Sequence, residues 1–517
     1  MTMLGTSSTP QCLLLHPDDD VAVAVHDLEP ETVVSAGGLD VEVCGRVPAG
    51  HKVAIHDIPA GTQVRKYGQV IGVASRDIAR GEHVHTQNVG FAELGRDYAI
   101  GRDRKEVRLL PEELRASFQG IVRPDGRVAT RNYIGILTSV NCSATVARMV
   151  AAQFAQPGGL LAQYPHVDGV VALTHGSGCG MAGSGEGFDV LRRVLSGYAR
   201  HPNFAGIVVL GLGCEVNQVR ALTEGFDLPE TTPVEVMTIQ GSGGTKATVR
   251  EAAARVLEMA AVADRARRTA VPASELVLGL ECGGSDGYSG ITANPALGAA
   301  VDLLVQHGGT AVLGETPEIY GAEHLLTRRA ESPEVAERLL ERIRWWEGYV
   351  SRCGASLDNN PSPGNKEGGL TTILEKSLGA VAKGGSTNLK AVYEYAEPVT
   401  SKGFAFMDTP GYDPVSVTGM VAGGANVVCF TTGRGSVFGS KPAPCIKLAT
   451  NSETYGRMVD DMDVNCGVVL DGTKTVQEVG QEIFDLVLAV ASGQKTKSEE
   501  LGFGDDEFTP WQLGAVL

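Results

Sequence analysis

The stretch ELVLGLECGGSDGYSGITAN, residues 275–294, decides the fold class. An apolar run of strand length leads into a polar, glycine-rich loop, and a helical pattern follows the loop. The same unit recurs in YIGILTSVNC (133–142), VDGVVALTHGSGCG (167–180) and FAGIVVLGLGCEVNQ (204–218). Its repetition predicts an α/β fold, with a parallel or mixed sheet covered by helices. In such a sheet the ligand crevice lies beyond the carboxyl ends of the strands.

Two further regions precede this α/β part. Residues 12–92 alternate short apolar runs with Pro-Ala-Gly turns, which predicts a small β-rich N-terminal domain. Residues 93–118 are charged and lack periodicity, so we interpret them as a linker. The α/β catalytic domain would then span 119–517. Its last part, from residue 355, again shows strands that end in polar loops, and it either forms a second lobe or continues the same sheet.

Composition excludes several classes of partner. The net charge of −17 argues against nucleic acid as the main partner, because phosphate binding needs a basic surface. No apolar run approaches the roughly 20 residues that a membrane span needs, so we expect no membrane partner. Met1–Gln11 has no basic segment ahead of an apolar core, so we expect no signal peptide and a cytoplasmic location. The ten cysteines form no CxxC pair, which argues against a zinc ribbon.

Histidines form the first candidate metal site. His83 and His85 lie two residues apart, so on a strand both side chains point to the same face. His16 ends the first strand of the same domain. Three imidazoles can bind a divalent metal such as iron, manganese or zinc. The alternative is that they are surface histidines, and we interpret His51 and His56 as structural.

Cysteines form the alternative metal site. Four of them come directly after predicted strands: Cys142, Cys179, Cys214 and Cys282. If those strands are neighbours in one sheet, the loops converge on one crevice. Thiolates bind iron or an iron–sulfur cluster. The competing interpretation is that each is an ordinary buried cysteine, which is a frequent role for this residue.

Polar glycine-rich loops offer candidates for substrate binding and catalysis. The predicted substrate-binding residues are Ser285, Asn294, Asn365, Thr432 and Arg434. Arg434 could clamp a carboxylate with two hydrogen bonds. Asp286 or Lys366 could serve as the catalytic base. The chain has neither a Walker A sequence nor a GxGxxG that opens a βαβ unit, so nucleotide binding has little support.

Several long motifs, taken together, resemble the altronate/galactarate dehydratase family of sugar-acid dehydratases. The N-terminal region resembles the family's SAF-type domain in GHKVAIHDI (50–58), KYGQVIG (66–72) and GEHVH (81–85). The larger region resembles the family in LECGGSDGYSGITANPALG (280–298) and NPSPGNKEGGLTTILEKSLG (360–379), as well as in GLGCEVNQ and FTTGRGS. The resemblance covers nearly the whole chain and is closer to the altronate branch.

The resemblance implies a hydro-lyase. The expected reaction is loss of water from an aldonate, D-altronate first, to give 2-dehydro-3-deoxy-D-gluconate with Fe(II) or Mn(II). D-galactarate is the alternative substrate. A related branch releases sulfite from sulfolactate and has the small domain on a separate subunit, so the fused domain here favours a dehydratase. Cys466 stands in MDVNCG (462–467), where the family pattern has alanine. The expected partner is a small sugar acid, and a homodimer is compatible with the sequence.

Overall fold

The computed structural model describes residues 10–93, 95–156 and 158–516. Most of Met1–Gln11, on which the signal-peptide prediction rests, lies outside these ranges. The described chain has a β-rich N-terminal domain followed by two α/β parts, which confirms the predicted fold class. None of its helices combines the length and the apolar character needed to cross a lipid bilayer.

The N-terminal domain consists of short strands arranged in three small sheets. The strands are β1 Cys12–Leu13, β2 Val21–Ala24, β3 Val33–Ala36, β4 Leu39–Glu42, β5 Lys52–Ala54, β6 Gln63–Lys66, β7 Gln69–Ala74, β8 His83–Val84 and β9 Val89–Gly90. The sheet orders are β1-β2-β5-β8, β3-β4 and β6-β7-β9, and every pairing is antiparallel. Valines and alanines make up most of a core cluster in this domain, and β-branched residues such as valine suit strands.

The first α/β part contains a parallel sheet and a small antiparallel one. Its strands are β10 Ser117–Val122, β11 Val128–Ala129, β12 Tyr133–Thr138, β13 Gly169–Leu173, β14 Phe204–Gly211, β15 Val234–Thr238 and β16 Arg268–Pro272. Its helices are α1 Ala144–Ala151, α2 Glu186–Arg200, α3 Val219–Glu224 and α4 Thr245–Ala263. The parallel sheet has the order β13-β12-β14-β15, and the antiparallel sheet has the order β11-β10-β16.

The second α/β part contains a seven-stranded parallel sheet. Its strands are β17 Val277–Cys282, β18 Thr310–Leu313, β19 Leu389–Tyr393, β20 Gly403–Met407, β21 Val427–Thr432, β22 Cys445–Ala449 and β23 Val464–Asn465. Its helices are α5 Ala293–Gln306, α6 His324–Thr327, α7 Pro333–Arg352, α8 Pro363–Glu367, α9 Ile373–Ala380, α10 Asp413–Ala422, α11 Ser452–Arg457, α12 Val476–Ala491 and α13 Lys497–Leu501. The strand order is β19-β20-β18-β17-β21-β22-β23.

The two parallel sheets show whether the region from residue 355 forms a second lobe or continues an earlier sheet. The region from residue 355 continues the sheet that begins with β17, because β19 to β23 pair with it. The break between lobes comes earlier, after β16. The loops after β12, β13 and β14 therefore belong to a different sheet from the loop after β17.

A fully buried group of three charges joins the N-terminal domain to α9. The Lys52 ammonium lies 2.9 Å from Glu375 Oε2, and the Lys66 ammonium lies 2.9 Å from Glu375 Oε1. Thr371 donates to the same carboxylate from its backbone N–H and its hydroxyl. Burial alone would raise the pKa of Glu375, but the two lysine charges overcome it and hold that pKa well below its ordinary value.

We expect Glu375→Gln to destabilise the protein strongly, because it leaves two buried ammonium groups without a counter-charge. Losing one partner of a buried pair costs about 3–5 kcal/mol of unfolding free energy. Equilibrium urea unfolding measures the effect. Glu482→Gln is the matched control, since Glu482 pairs with Lys474 at the surface and such pairs contribute about 1 kcal/mol or less. Equal midpoints for the two variants would contradict the prediction.

Candidate active site

A cavity of about 500 Å³ lies where the N-terminal domain covers the carboxyl ends of the seven-stranded sheet. The N-terminal domain contributes the loop residues Val25, His26, Asp27 and Ala49. The large sheet contributes Asp286, Tyr288, Glu367, Gly368, Gly433, Arg434, Asn451, Ser452, Glu453, Thr454, Arg457, Leu470 and Asp471. This is the position in which parallel α/β sheets bind their ligands, and it is large enough for a six-carbon acid.

Asp286 is a buried carboxylate of the cavity lining that several hydrogen bonds hold in place. Its carboxylate accepts hydrogen bonds from the hydroxyls of Thr450 at 2.9 Å and Ser289 at 2.9 Å, and from the Asn451 amide at 3.1 Å. A Cβ atom at Gly433 would collide with this carboxylate, so the close approach of the loop after β21 requires glycine there. The side chain is therefore held in one orientation.

Burial raises the pKa of Asp286, although its hydrogen bonds act in the opposite direction. A carboxylate with a raised pKa binds a proton more readily than an exposed aspartate does. Since the group is both fixed and exposed to the cavity, it can accept or return a proton at a defined position. The structure thus places one of the two predicted catalytic residues in the cavity.

The cavity contains two arginines that can bind anions. Arg434 Nη2 lies 2.9 Å from Glu367 Oε2, and 43% and 74% of the two side chains are exposed. Such an exposed pair is weak, so the guanidinium can exchange Glu367 for a substrate carboxylate at little cost. Arg457, at the end of α11, also lines the cavity and is exposed. The predicted anion-binding role of Arg434 fits this position.

The other predicted substrate-binding residues lie behind the residues that line the cavity. Ser285, Asn294, Asn365 and Thr432 are all buried, and none of them lines the cavity. Asn365 caps α8 and donates to the Ser285 carbonyl at 2.9 Å, while Asn294 donates to the Gly379 carbonyl at 2.9 Å. The bond between Asn365 and Ser285 joins the segments that carry Glu367 and Asp286. Lys366 is half-buried and also lies outside the lining.

Three histidines meet next to the cavity. Lys52 pairs with Val84 across the antiparallel ladder of β5 and β8, so His51 falls opposite His85, with His83 beside them. His51 Nδ1 lies 3.0 Å from His83 Nε2. The three ring centroids are 4.7, 5.1 and 5.5 Å apart. One ring nitrogen from each residue lies within 4.8 Å of the other two.

The hydrogen bonds of His51, His83 and His85 (the histidine triad) indicate which ring nitrogens carry a lone pair toward the other two rings. His51 Nε2 lies 3.1 Å from the Glu367 carbonyl, which only accepts, so Nε2 carries the proton and Nδ1, which faces His83 Nε2, is the unprotonated nitrogen of the neutral ring. Burial lowers the pKa of His83 to about 4 and that of His85 to about 3, so both are neutral at pH 7. Nδ1 of His85 is buried without a hydrogen-bond partner in the described chain.

These features fit a divalent metal. Neutral imidazoles are its common protein ligands, and a carbonyl that fixes the outer nitrogen of a ligand ring is the usual supporting contact. The third histidine differs from the predicted one. His16 accepts from the backbone N–H of Asp18 at 3.1 Å and packs against Gly68, and it is not part of the group. His51, which we interpreted as structural, takes that place because the strand pairing brings it opposite His85.

A second polar cluster lies deeper, at the ends of β17 and β18. Its carboxylates belong to Glu281, Glu315, Glu318 and Asp413. Lys383 pairs with Glu315 at 2.8 Å and Lys376 with Glu318 at 2.6 Å. Four carboxylates against two ammonium groups leave an excess of negative charge, which protons or a cation must balance. Burial and the neighbouring carboxylates raise the pKa of Asp413 to about 7. The carboxylates of this cluster come from separate segments of the chain, and none of them was predicted as a site residue.

The four predicted cysteine ligands do not form one site. Cys282 is buried in the carboxylate cluster, with its sulfur 3.2 Å from Glu315 Oε2 and 3.2 Å from Glu318 Oε2. Cys142, Cys179 and Cys214 follow strands of the other parallel sheet and are exposed. The four strand ends belong to two sheets, and this separation explains why the single cysteine site is not formed.

Three family models together match most of the described chain. They are the altronate/galactarate dehydratase SAF domain over residues 10–92, the D-galactarate dehydratase/altronate hydrolase second domain over 120–264, and the D-galactarate/altronate dehydratase C-terminal domain over 273–516. The chain belongs to the altronate/galactarate dehydratase family. It is therefore a carbon–oxygen lyase, a dehydratase of sugar acids.

Three relatives show how far the family resemblance extends. The chain is 39% identical to the galactarate dehydratase (L-threo-forming) of Escherichia coli, over 94% of each chain. It is 34% identical to the altronate dehydratase of Bacillus subtilis, over 97% of this chain and 99% of the relative. It is 35% identical to the altronate dehydratase of Escherichia coli, over 95% and 97%. Identities this similar define a sugar-acid dehydratase without separating the two substrates.

We expect His51→Ala, His83→Ala and His85→Ala each to lower the affinity of this dehydratase for Fe(II) or Mn(II) at least tenfold, because each removes one of three ligands. Metal titration followed by elemental analysis of the desalted protein measures this. His16→Ala is the matched control in the same domain and should bind metal like the unchanged chain. Equal loss of metal in His16→Ala and His51→Ala would refute the assignment.

Proposed function

We propose that this chain dehydrates a six-carbon sugar acid in the cavity between its N-terminal domain and its seven-stranded sheet. The observation that carries the proposal is the arrangement around that cavity. A fixed carboxylate and an exchangeable arginine line it, and three imidazoles of the N-terminal domain lie beside it, where His51 contacts the carbonyl of the lining residue Glu367. Loss of water from a hydroxy acid needs an anion-binding group, a proton acceptor and a means to stabilise the negative charge that develops.

His51, His83 and His85 would hold Fe(II) or Mn(II). When bound, the metal would supply Lewis-acid stabilisation of the charge that develops on the substrate carboxylate. The buried contact of Lys52 and Lys66 with Glu375 positions the N-terminal domain, which carries these histidines. The proposal also includes a cytoplasmic location and a homodimer.

Arg434 would bind the substrate carboxylate and release Glu367. Asp286 would then take the proton from the carbon next to the carboxylate, since it is the fixed carboxylate of the wall and its raised pKa makes it a better proton acceptor than an exposed aspartate. The neighbouring hydroxyl then departs as water with the proton returned by Asp286, and the enol that remains becomes the keto acid. Lys366, the other predicted base, does not reach the cavity lining.

D-altronate is the substrate that the motifs predict, and galactarate is the second candidate. One observation favours galactarate: Arg457 gives the cavity a second guanidinium besides Arg434, and a dicarboxylate has a second carboxylate to bind it. The acidic residues Glu453 and Asp471, which also line the cavity, suit hydroxyl groups as hydrogen-bond acceptors.

We expect Asp286→Asn to lower kcat by about two to four orders of magnitude, because the amide cannot accept the proton. In the unchanged enzyme the acidic limb of the kcat/KM profile should lie above the ordinary aspartate range of about 3.9, since burial raises this pKa and activity requires the deprotonated form. Activity therefore falls as the pH drops through the raised pKa. Ser289→Ala is a control that keeps the carboxylate, and a limb unchanged in Asp286→Asn would overturn the role.

A substrate panel tests the proposed function. Keto-acid and sulfite release are measured with D-altronate, galactarate, other aldonates and aldarates, and sulfolactate. We expect keto-acid formation from a six-carbon acid and no sulfite. Arg457→Leu should lower kcat/KM for galactarate about tenfold or more and leave D-altronate nearly unchanged, because only the dicarboxylate uses the second guanidinium. If Arg457→Leu lowered kcat/KM equally for both acids, the argument for galactarate would be lost. If no substrate of the panel gave a keto acid, the proposed function would be refuted.

A further inference from the structure

Three exposed cysteines lie at one end of the four-stranded parallel sheet, away from the catalytic cavity. Cys142 follows β12, Cys179 follows β13 and Cys214 follows β14, and these three strands are neighbours in the sheet. Their loops therefore leave the same edge side by side. Five other cysteines of the chain are buried, as is common for this residue, so simple core packing does not account for these three.

Backbone hydrogen bonds tie the three loops together. The Asn141 N–H donates to the Ser177 carbonyl at 2.9 Å, which joins the loop of Cys142 to that of Cys179. The Asn217 N–H donates to the Gly178 carbonyl at 3.0 Å, which joins the loop of Cys214 to the same segment. Gly178, next to Cys179, also packs so closely on Ser139 and Val140 that a side chain would not fit.

Buried polar side chains fix this arrangement from below. The Ser139 hydroxyl donates to Glu215 Oε1 at 2.7 Å, and the Gly213 N–H donates to Glu215 Oε2 at 2.6 Å, so the carboxylate spans the loops of Cys142 and Cys214. The Asn217 amide donates to the Ser139 carbonyl at 3.1 Å. Ser139, Glu215 and Asn217 are all at most 2% exposed. The loops are therefore rigid while the thiols at their tips remain accessible.

We propose that Cys142, Cys179 and Cys214 together bind an iron–sulfur cluster, with one iron left without a protein ligand. Thiolates are the ligands that such clusters use, and each thiol releases its proton as it binds iron. A single zinc ion is a poorer match: bonds of about 2.3 Å to four tetrahedral ligands need sulfurs roughly 3.8 Å apart. The three sulfurs do not all lie within 4.8 Å of one another. A cluster of several irons can still bind them all, because each thiolate binds a different iron.

This cofactor is separate from the divalent metal of the catalytic cavity. The three cysteines belong to the sheet formed by β12 to β15, whereas the histidine triad belongs to the N-terminal domain and the cavity to the seven-stranded sheet. The inference therefore does not rest on the proposed function, and either of the two can fail alone.

The test uses the full-length protein, incubated without oxygen with sulfide and with equal amounts of Fe(II) and Fe(III), which together give the oxidation state of the cluster, and then desalted. We expect about four irons and four acid-labile sulfides per chain beyond any iron at the histidines, a broad visible absorption band, and a paramagnetic resonance signal after reduction. Cys142→Ser, Cys179→Ser and Cys214→Ser should each lower bound sulfide at least fivefold. Cys353→Ser is the matched control, because Cys353 is also exposed but lies at the end of α7.

Unchanged thermal unfolding of the serine variants shows that loss of the cluster is not loss of fold, since these side chains are at the surface. His83→Ala should retain the full sulfide content, which separates this site from the histidine triad. Three results would overturn the proposal: no bound sulfide in the unchanged protein, sulfide retained in all three variants, or binding of zinc in place of iron in a competition with both metals.

Discussion

The contact on which the catalytic arrangement depends is the buried carboxylate of Glu375 between two lysines of the N-terminal domain. Lys52 is the next residue after His51, and the ammonium of Lys52 also donates to the Gly369 carbonyl at 2.6 Å. This one contact therefore sets both the depth of β5 against the large domain and the position of the first histidine ligand. Buried charges gain stability only when their geometry is satisfied, so small displacements are strongly resisted.

Much of the fold could be predicted from local patterns. Apolar runs that end in glycine-rich loops indicated parallel strands, and short runs separated by Pro-Ala-Gly turns indicated the β-rich domain, because each pattern follows from local backbone preferences. The division into two parallel sheets could not be predicted. Strand order depends on packing between distant segments, and nothing local distinguishes the strand before Cys214 from the strand before Cys282.

Prediction of the candidate site was limited in the same way, because local sequence does not show which single residues come together. Asp286 and Arg434 were predicted because they are chemically apt groups after strand ends, and both line the cavity. His51 was missed since its role arises from the pairing of β5 with β8, a register that its own surroundings do not encode. Ser285 and Asn365 were predicted as substrate ligands but lie behind the cavity lining, because polar residues that support a loop look, in sequence, like polar residues that face a ligand.

The N-terminal domain is fused to the chain that it covers, and this connection has a consequence for assembly. Residues 93–116 tether the histidine-bearing half to the carboxylate-bearing half, and Arg96 reaches back to pair with Glu323 of the large domain. Intramolecular docking proceeds at a fixed effective concentration, which for short tethers is of millimolar order. Dilution therefore cannot separate the two halves, and the complete site forms at a rate independent of how much protein the cell contains.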